Sequence, residues 1–371
     1  MKLEAVELRR IRISLVAPFE TSFGTQSERD ILILKAITDV GEGWGECVAG
    51  EEPDYSSEYV EAAHHVLVHH LLPPLLARPS LTAAGVAGAL QRFHGHRMAK
   101  ASIEMAVLDA ELRSRGESFA HHFGAVRSAV DCGVSVGIHR SIPELLVTVG
   151  GYLDQGYRRV KLKIKPGWDV EPVRAVRERF GDVLLQVDAN TAYTLADAAH
   201  LAQLDAFNLL LIEQPLPEDQ VLAHAELAKV IRTPVCLDES ITSEQAAADA
   251  IQLGACSIIN IKPGRVGGYL EARRIHDLCA KHDVPVWMGG MLETGLGRAG
   301  NVAMAAMPNF NLPGDTSASE RYYHRDITEP FVLVDGRLNV PDGPGLGVNV
   351  DVAYLESITT SSQVVRSGAL D

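Results

Sequence analysis

The chain has no apolar run of 18 residues, no CxxC pair, no low-complexity linker and no surplus of basic residues. The first absence excludes a membrane-spanning helix, and no secretory signal pattern opens the sequence. Its five cysteines, Cys47, Cys132, Cys236, Cys256 and Cys279, are odd in number and scattered. That pattern points to reduced thiols and a cytoplasmic location. With 34 Lys and Arg against 48 Asp and Glu, the formal net charge is −14, so nucleic acid is not an expected partner. The stretch Pro341–Gly347 reads as consecutive turns, not as a tether. What the chain does have is 371 residues, 46% of them hydrophobic, enough to fill the cores of two domains.

Charged residues recur along the middle of the chain at nearly constant intervals. Lys163, Asp188, Glu213 and Asp238 lie 25 residues apart, and Lys262 follows 24 further on. Each falls near the end of a short run rich in Val, Ile and Leu, the pattern of a strand buried on both faces in a parallel sheet. The intervening lengths suit one helix and two loops, so the repeat is a βα unit. Val134–Ile138 supplies a strand before Lys163, Val284–Met288 one after Lys262, and Asn309–Leu312 an eighth. Eight such units predict an α/β fold of the (β/α)8-barrel type, with chemistry at the carboxyl-terminal strand ends. An open doubly wound sheet is the alternative, but it gathers ligands at one switch point and does not account for charges at five successive strand ends.

In a barrel the third, fourth and fifth strands are neighbours, so Asp188, Glu213 and Asp238 can converge. Three carboxylates cannot share one place without compensating charge. An all-oxygen set favours a hard divalent cation, Mg2+ first, with Mn2+ or Co2+ as alternatives; ordinary ion pairs with nearby bases are the competing reading. The second and sixth strands stand on opposite walls, which sets Lys163 against Lys262 across the mouth. Alternation turns Lys161 inward beside Lys163, and Asn260 beside Lys262. Like charge from Lys161 and from Arg265, together with partial burial, predicts lowered amine pKa values. A metal that stabilises the charge formed when an α-proton leaves a carboxylate substrate, with one lysine on each face, predicts racemisation, or elimination where a leaving group is present.

The runs KLKIKPGWD (Lys161–Asp169), QVDANTAYTL (Gln186–Leu195), IEQPL (Ile212–Leu216), CLDES (Cys236–Ser240), NIKPGRVGGYLEARR (Asn260–Arg274) and GGMLETGLGRAGN (Gly289–Asn301) resemble the enolase superfamily. Within it they are similar to the muconate-lactonizing-enzyme-like branch that contains o-succinylbenzoate synthase and N-acylamino acid racemase. The resemblance spans nearly the whole chain, including VAPFETSFGTQ (Val16–Gln26). It implies a modified (β/α)7β barrel with an α+β capping domain. By position, Asp188, Glu213 and Asp238 would bind the metal, Lys163 and Lys262 would be the acid/base pair, and Lys161 would stabilise charge. Glu239, Asn190, Asn260 and Arg265 would stand behind them.

The implied activity is N-succinylamino acid racemisation, o-succinylbenzoate formation for menaquinone biosynthesis, or both. The implied partner is a small carboxylate, and a homo-oligomer, an octamer among the options, is expected. Other cycloisomerases or epimerases, and a barrel without catalysis, remain as alternatives. Two departures from sister groups narrow the choice. Relatives that resemble mandelate racemase carry a catalytic His after the seventh strand, where this chain reads WMGG (Trp287–Gly290). Dipeptide epimerases carry a DxD pair after the eighth, where Asp315 here stands alone in PGDTSAS (Pro313–Ser319). The loop Gly50–Asp54 is more polar than the lid usual in the family.

Residues 1–125 read as the amino-terminal part of the cap, 126–318 as the barrel and 319–371 as a segment returning to the cap. In the first, 2–16, 29–39 and 43–48 alternate like strands of an antiparallel sheet, GEGWGE (Gly41–Glu46) reads as a turn, and three helices follow near 56–76, 81–94 and 98–115. Phe331–Asn339 is the expected returning strand. Phe19, Phe23 and Tyr55 would line an apolar pocket, with Thr21–Gln26 as a water-excluding lid; packing within the cap is the alternative for these aromatics. Ser135 and the turn Gly290, Met291 and Leu292 are further candidates for substrate contact. Gly295, Gly297 and Gly300 satisfy GxGxxG, but with no second mononucleotide-binding half; the loop is expected to offer backbone amides to a substrate carboxylate. His64, His65, His69 and His70 read as an exposed helix face.

Overall fold

The structure, a computed structural model, describes residues 1–366. The amino-terminal part is an antiparallel sheet of β1 (Leu3–Glu20), β2 (Thr25–Thr38) and β3 (Gly41–Cys47), to which β13 (Thr359–Arg366) adds at the β1 edge. Period-two alternation sends Ile11, Ile13 and Leu15 of β1 inward and leaves Arg12 and Ser14 exposed. The helix Arg97–Arg115 lies across β3, and close approach there explains the glycines of GEGWGE. A Cβ on Gly43 would sit 2.2 Å from Ala106 O, and one on Gly45 2.2 Å from Ser102 O. The segment is therefore a strand and not the expected turn; the reversal comes earlier, at Asp39 and Val40.

The remainder winds seven parallel strands in the order β5 (Gly133–Val136), β6 (Arg159–Lys163), β7 (Leu184–Asp188), β8 (Ile212–Glu213), β9 (Val235–Leu237), β10 (Ile258–Ile261) and β11 (Val286–Met288), each neighbour hydrogen-bonded to the next. Helices fill the crossovers, several begun by side-chain caps: Ser141 accepts from Glu144 N, Ser243 from Ala246 N and Thr294 from Leu296 N. The expected eighth strand is reduced to single bridges. Asn311 N donates to Val286 O on one side and Gly133 N to Gly314 O on the other, so the ring closes, but Pro313 has no N–H with which to continue a ladder.

The return to the cap also differs from expectation. Within Phe331–Asn339 only β12 (Arg337–Asn339) is a strand, and it pairs with β4 (Ala129–Asp131) at the opposite end of the barrel from the charged strand ends. Asp335 and Gly336, both at positive φ, turn the chain tightly there. It is β13 that joins β1. No helix among the described residues is long and apolar enough to cross a membrane.

Candidate active site

Parallel pairing puts the charged side chains at one height. Lys163 is opposite Asp188, and Asp188 opposite Glu213. Glu213 is opposite Cys236, so Asp238, two residues on, points to the same inward face. Asp188, Glu213 and Asp238 are all fully buried. Each is met by an ammonium or guanidinium group. Lys161 Nζ lies 2.7 Å from Asp315 Oδ2, 2.9 Å from Glu213 Oε2 and 3.2 Å from Asp188 Oδ2. On one wall Lys163 Nζ donates to Asp188 Oδ2 and to Asn190 Oδ1, both at 2.6 Å. On the opposite wall Lys262 Nζ donates to Asp238 Oδ2 at 2.7 Å, while Arg265 lies 2.9 Å from Oδ1 of the same carboxylate. Asn260 donates to Glu213 Oε1 at 2.6 Å, and Asn190 to Glu239 Oε1 at 2.9 Å.

These contacts set the protonation states. Burial pushes Glu213 up, and Asp188 beside it adds to the push. Burial would raise Asp238 too, but Lys262 and Arg265 outweigh it and hold that carboxyl low. Glu239 is driven well above its usual range by burial and by Asp238. Lys262 departs from the sequence expectation of a lowered amine, and Lys161 behaves in the same way. Burial does lower each, but facing carboxylates prevail, Asp238 at Lys262 and Asp315 at Lys161, and both amines sit well above their ordinary value. Arg265 cannot depress Lys262 because Asp238 neutralises it directly.

Among the described residues no three carboxylate, imidazole or thiol groups close around a common point as they stand, since Lys161 lies between Asp188 and Glu213. The donor set nonetheless fits a hard divalent cation: three buried carboxylates on adjacent strands, whose charge is compensated here by Lys161, Lys163, Lys262 and Arg265. A cation there would take over the carboxylates' charge and release the amines from it.

The cap covers the mouth. Phe19, Phe23 and Tyr55 line the cavity above the lysines together with Ser135, Gly290, Met291 and Leu292, so every expected substrate-contacting side chain is present. Ser22 Oγ donates to Asn190 O at 3.1 Å, pinning the Thr21–Gln26 loop onto the barrel. Gly289 explains why no His stands after β11: a Cβ there would lie 2.3 Å from Asn260 Oδ1 and 2.7 Å from Lys262 Cγ. A larger residue would displace Lys262 itself.

Three features of the site were not expected. Asp315, the single acid of PGDTSAS, pairs with Lys161 and, at 2.8 Å, with the fully buried Arg159, and accepts from Ser135 Oγ at 3.2 Å. Arg159 was legible in principle, because the alternation that turns Lys161 and Lys163 inward includes it. Tyr322 joins the lining from the segment after the barrel, with no sequence signal to mark it. The amides opening the helix Gly295–Ala305 do not await a substrate, contrary to expectation. Thr294 N and Gly297 N donate to Glu46, and Gly295 N donates to Asp326. The three glycines are needed for packing: a Cβ on Gly295 would strike Thr328, on Gly297 Glu293, and on Gly300 the Tyr269 hydroxyl. Of the histidine quartet, His65, His69 and His70 are exposed and His64 is half-buried.

Comparison with known proteins agrees with this architecture. Residues 5–124 match the mandelate racemase / muconate lactonizing enzyme N-terminal domain, and residues 145–354 the enolase C-terminal domain-like family. The chain is 68% identical over 368 residues to an N-succinylamino acid racemase of an Amycolatopsis species, covering 99% of this chain and all of that one. It is 47% identical over 371 residues to an o-succinylbenzoate synthase of Geobacillus kaustophilus, covering 100% and 99%. A crystal structure of an enolase superfamily member from Listeria innocua superposes with a TM-score of 0.95 at 39% identity, covering 99% of both chains. Enzymes of this family depend on a divalent metal. A capped barrel with acids and lysines at successive strand ends, matched by both domain families over most of its length, belongs to the mandelate racemase / muconate lactonizing enzyme family of the enolase superfamily.

Proposed function

We propose that this chain is an N-succinylamino acid racemase that also carries out the o-succinylbenzoate synthase reaction, both by removing the proton α to a substrate carboxylate. The observation that carries the reading is the placement of Lys163 and Lys262 on opposite walls with Asp188, Glu213 and Asp238 between them. The likeness to relatives bearing those two names supports it.

Asp188, Glu213 and Asp238 would hold a divalent ion, Mg2+ by the hardness of the donors, which supplies positive charge where the enediolate's negative charge develops. The protein's own groups do the rest. One lysine, neutral, takes the α-proton from one face; the other, as ammonium, returns a proton to the opposite face, and the configuration inverts. In the synthase reaction one lysine takes the α-proton and then gives it to the hydroxyl leaving the neighbouring ring carbon, so that water departs as the ring double bond forms, while the second lysine remains charged to stabilise the developing anion. Lys161, held by Asp315, is placed to meet the substrate carboxylate.

Charge bookkeeping supports an anionic substrate. Asp188, Glu213, Asp238, Glu239 and Asp315 stand against Arg159, Lys161, Lys163, Lys262 and Arg265, all buried. Formally balanced by themselves, they gain positive charge with a dication, which suits an anionic substrate. The Phe19, Phe23 and Tyr55 cover would keep water from the amines.

The test is exchange of the substrate α-proton in D2O with N-succinylamino acids, alongside dehydration of the cyclohexadiene precursor. Lys163→Ala and Lys262→Ala should each abolish racemisation, by three orders of magnitude or more, an order-of-magnitude figure for loss of an acid/base group. Full turnover by either variant would refute the two-base scheme.

A further inference from the structure

The two lysines are not held alike. Lys163 is gripped by barrel groups alone, Asp188 from β7 and Asn190 just beyond it. Lys262 is shared with the cap. Tyr55, from the segment between β3 and the helix Val60–Val66, reaches over the mouth so that its hydroxyl accepts from Lys262 Nζ at 3.0 Å and donates to Asp238 Oδ2 at 3.2 Å. Because Lys262 Nζ also donates to that same Oδ2 at 2.7 Å, hydroxyl, amine and carboxylate form a closed triangle. The ammonium lies 4.8 Å from the Tyr55 ring centroid, a cation–π contact that adds to the hold. Phe23 of the neighbouring cap loop backs the Tyr55 ring at 6.0 Å between centroids. The cap also touches the other wall, through Ser22 and the backbone oxygen of Asn190 and through Glu20 and Lys165, but neither contact reaches the Lys163 amine.

We propose that Tyr55 is a positioning residue for Lys262 and not for Lys163, so that proton transfer on one face of the substrate depends on the seating of the cap loop and transfer on the other face does not. The inference rests on the racemase reading above and deepens it. A four-carbon amine side chain has many rotamers, and a base must stand within hydrogen-bond reach of the proton it takes. Lys163 has two barrel acceptors to fix it. Lys262 has one, Asp238, and the phenol supplies the second.

The consequence is an asymmetry between enantiomers. Each lysine faces the α-hydrogen of one enantiomer, and exchange in D2O of each enantiomer with retention reports on the lysine that faces it. Lys163→Ala retains exchange with the enantiomer served by Lys262, and Lys262→Ala with the other, which assigns the faces without further assumption. Tyr55→Phe keeps the ring and its packing while removing the hydroxyl. It should slow exchange of the Lys262-facing enantiomer about tenfold, the scale of one lost hydrogen bond to a charged group, and leave the other within about twofold. Tyr55→Leu, which also removes the ring and its contact with the ammonium, should deepen the same one-sided loss.

An equal fall for both enantiomers would mean that the hydroxyl serves only to close the cap, and would overturn the proposal, as would no fall for either. If the unsubstituted protein exchanges neither enantiomer, the racemase reading fails first and this inference with it. Exchange of both by the unsubstituted protein with symmetric loss in Tyr55→Phe sinks only the present proposal.

Discussion

Glu46 offers a quantitative test of how cap and barrel are joined. It stands at the end of β3 in the cap, yet its carboxylate accepts from Thr294 N at 3.0 Å, from Thr294 Oγ1 at 2.6 Å and from Gly297 N at 3.0 Å, at the start of the barrel helix Gly295–Ala305. Burial, with Glu293 nearby, lifts its pKa from 4.5 to about 7, although the bonds to Thr294 and Gly297 oppose the rise. A raised carboxyl binds a proton in the folded state that the unfolded chain has already lost. Its contribution is therefore fully present below the unfolded pKa and lost as pH climbs through the folded one, so stability declines across about pH 4.5 to 7. With those two values, linkage gives a loss on the order of 2–3 kcal/mol between pH 5 and pH 8. Glu46→Gln, which cannot ionise, should lack this slope. The assay is chemical denaturation of both proteins at pH 5, 6, 7 and 8, read as the difference between them so that other titrating groups cancel. The variant should gain on the parent by that same amount, roughly 2–3 kcal/mol, from pH 5 to pH 8. A difference that stays constant, or that moves in the parent's favour, would show that Glu46 is ionised throughout and that burial does not dominate the helix amides.

Other outcomes follow from the same contacts. Mg2+ at a hundredfold excess over its dissociation constant should stabilise the protein by about 2.7 kcal/mol, read as a raised melting temperature; Asp238→Asn should lose most of that rise, and a parent indifferent to millimolar Mg2+ would count against the ligand set. Gly300→Ala places a methyl about 2.3 Å from the Tyr269 hydroxyl, and overpacking of about 1–3 kcal/mol should outweigh the roughly 1 kcal/mol gained in helix propensity. A higher melting temperature for that variant would refute the packing account of the glycine.

The parts of this molecule that the sequence discloses are those carried by period and register. Strands buried on both faces, separated by helical connections of nearly equal overall length, put Lys163, Asp188, Glu213, Asp238 and Lys262 on a common interval, and a strand's two-residue period decides that each points inward. The same logic extended one step back would have found Arg159. Distance through space is what it does not carry. Lys262 was expected to be depressed by Arg265, but Asp238 at 2.7 Å outweighs burial and that like charge, and no spacing rule reports that margin. Glycine is ambiguous for a related reason: Gly43 and Gly45 answer to the helix Arg97–Arg115 lying on β3, and in the sequence such a demand looks the same as a turn. Contacts across the two domains are the extreme case. Tyr55 meets Asp238 across 183 residues, and Glu46 meets Thr294 across 248. Neither lies in a periodic pattern that includes its partner, so a chain read by its periods discloses the chemistry of the barrel mouth and conceals how the cap controls it. If Tyr55 acts on Lys262 alone, the step that distinguishes the substrate's two faces lies in that concealed part, on a cap loop that has no regular structure of its own.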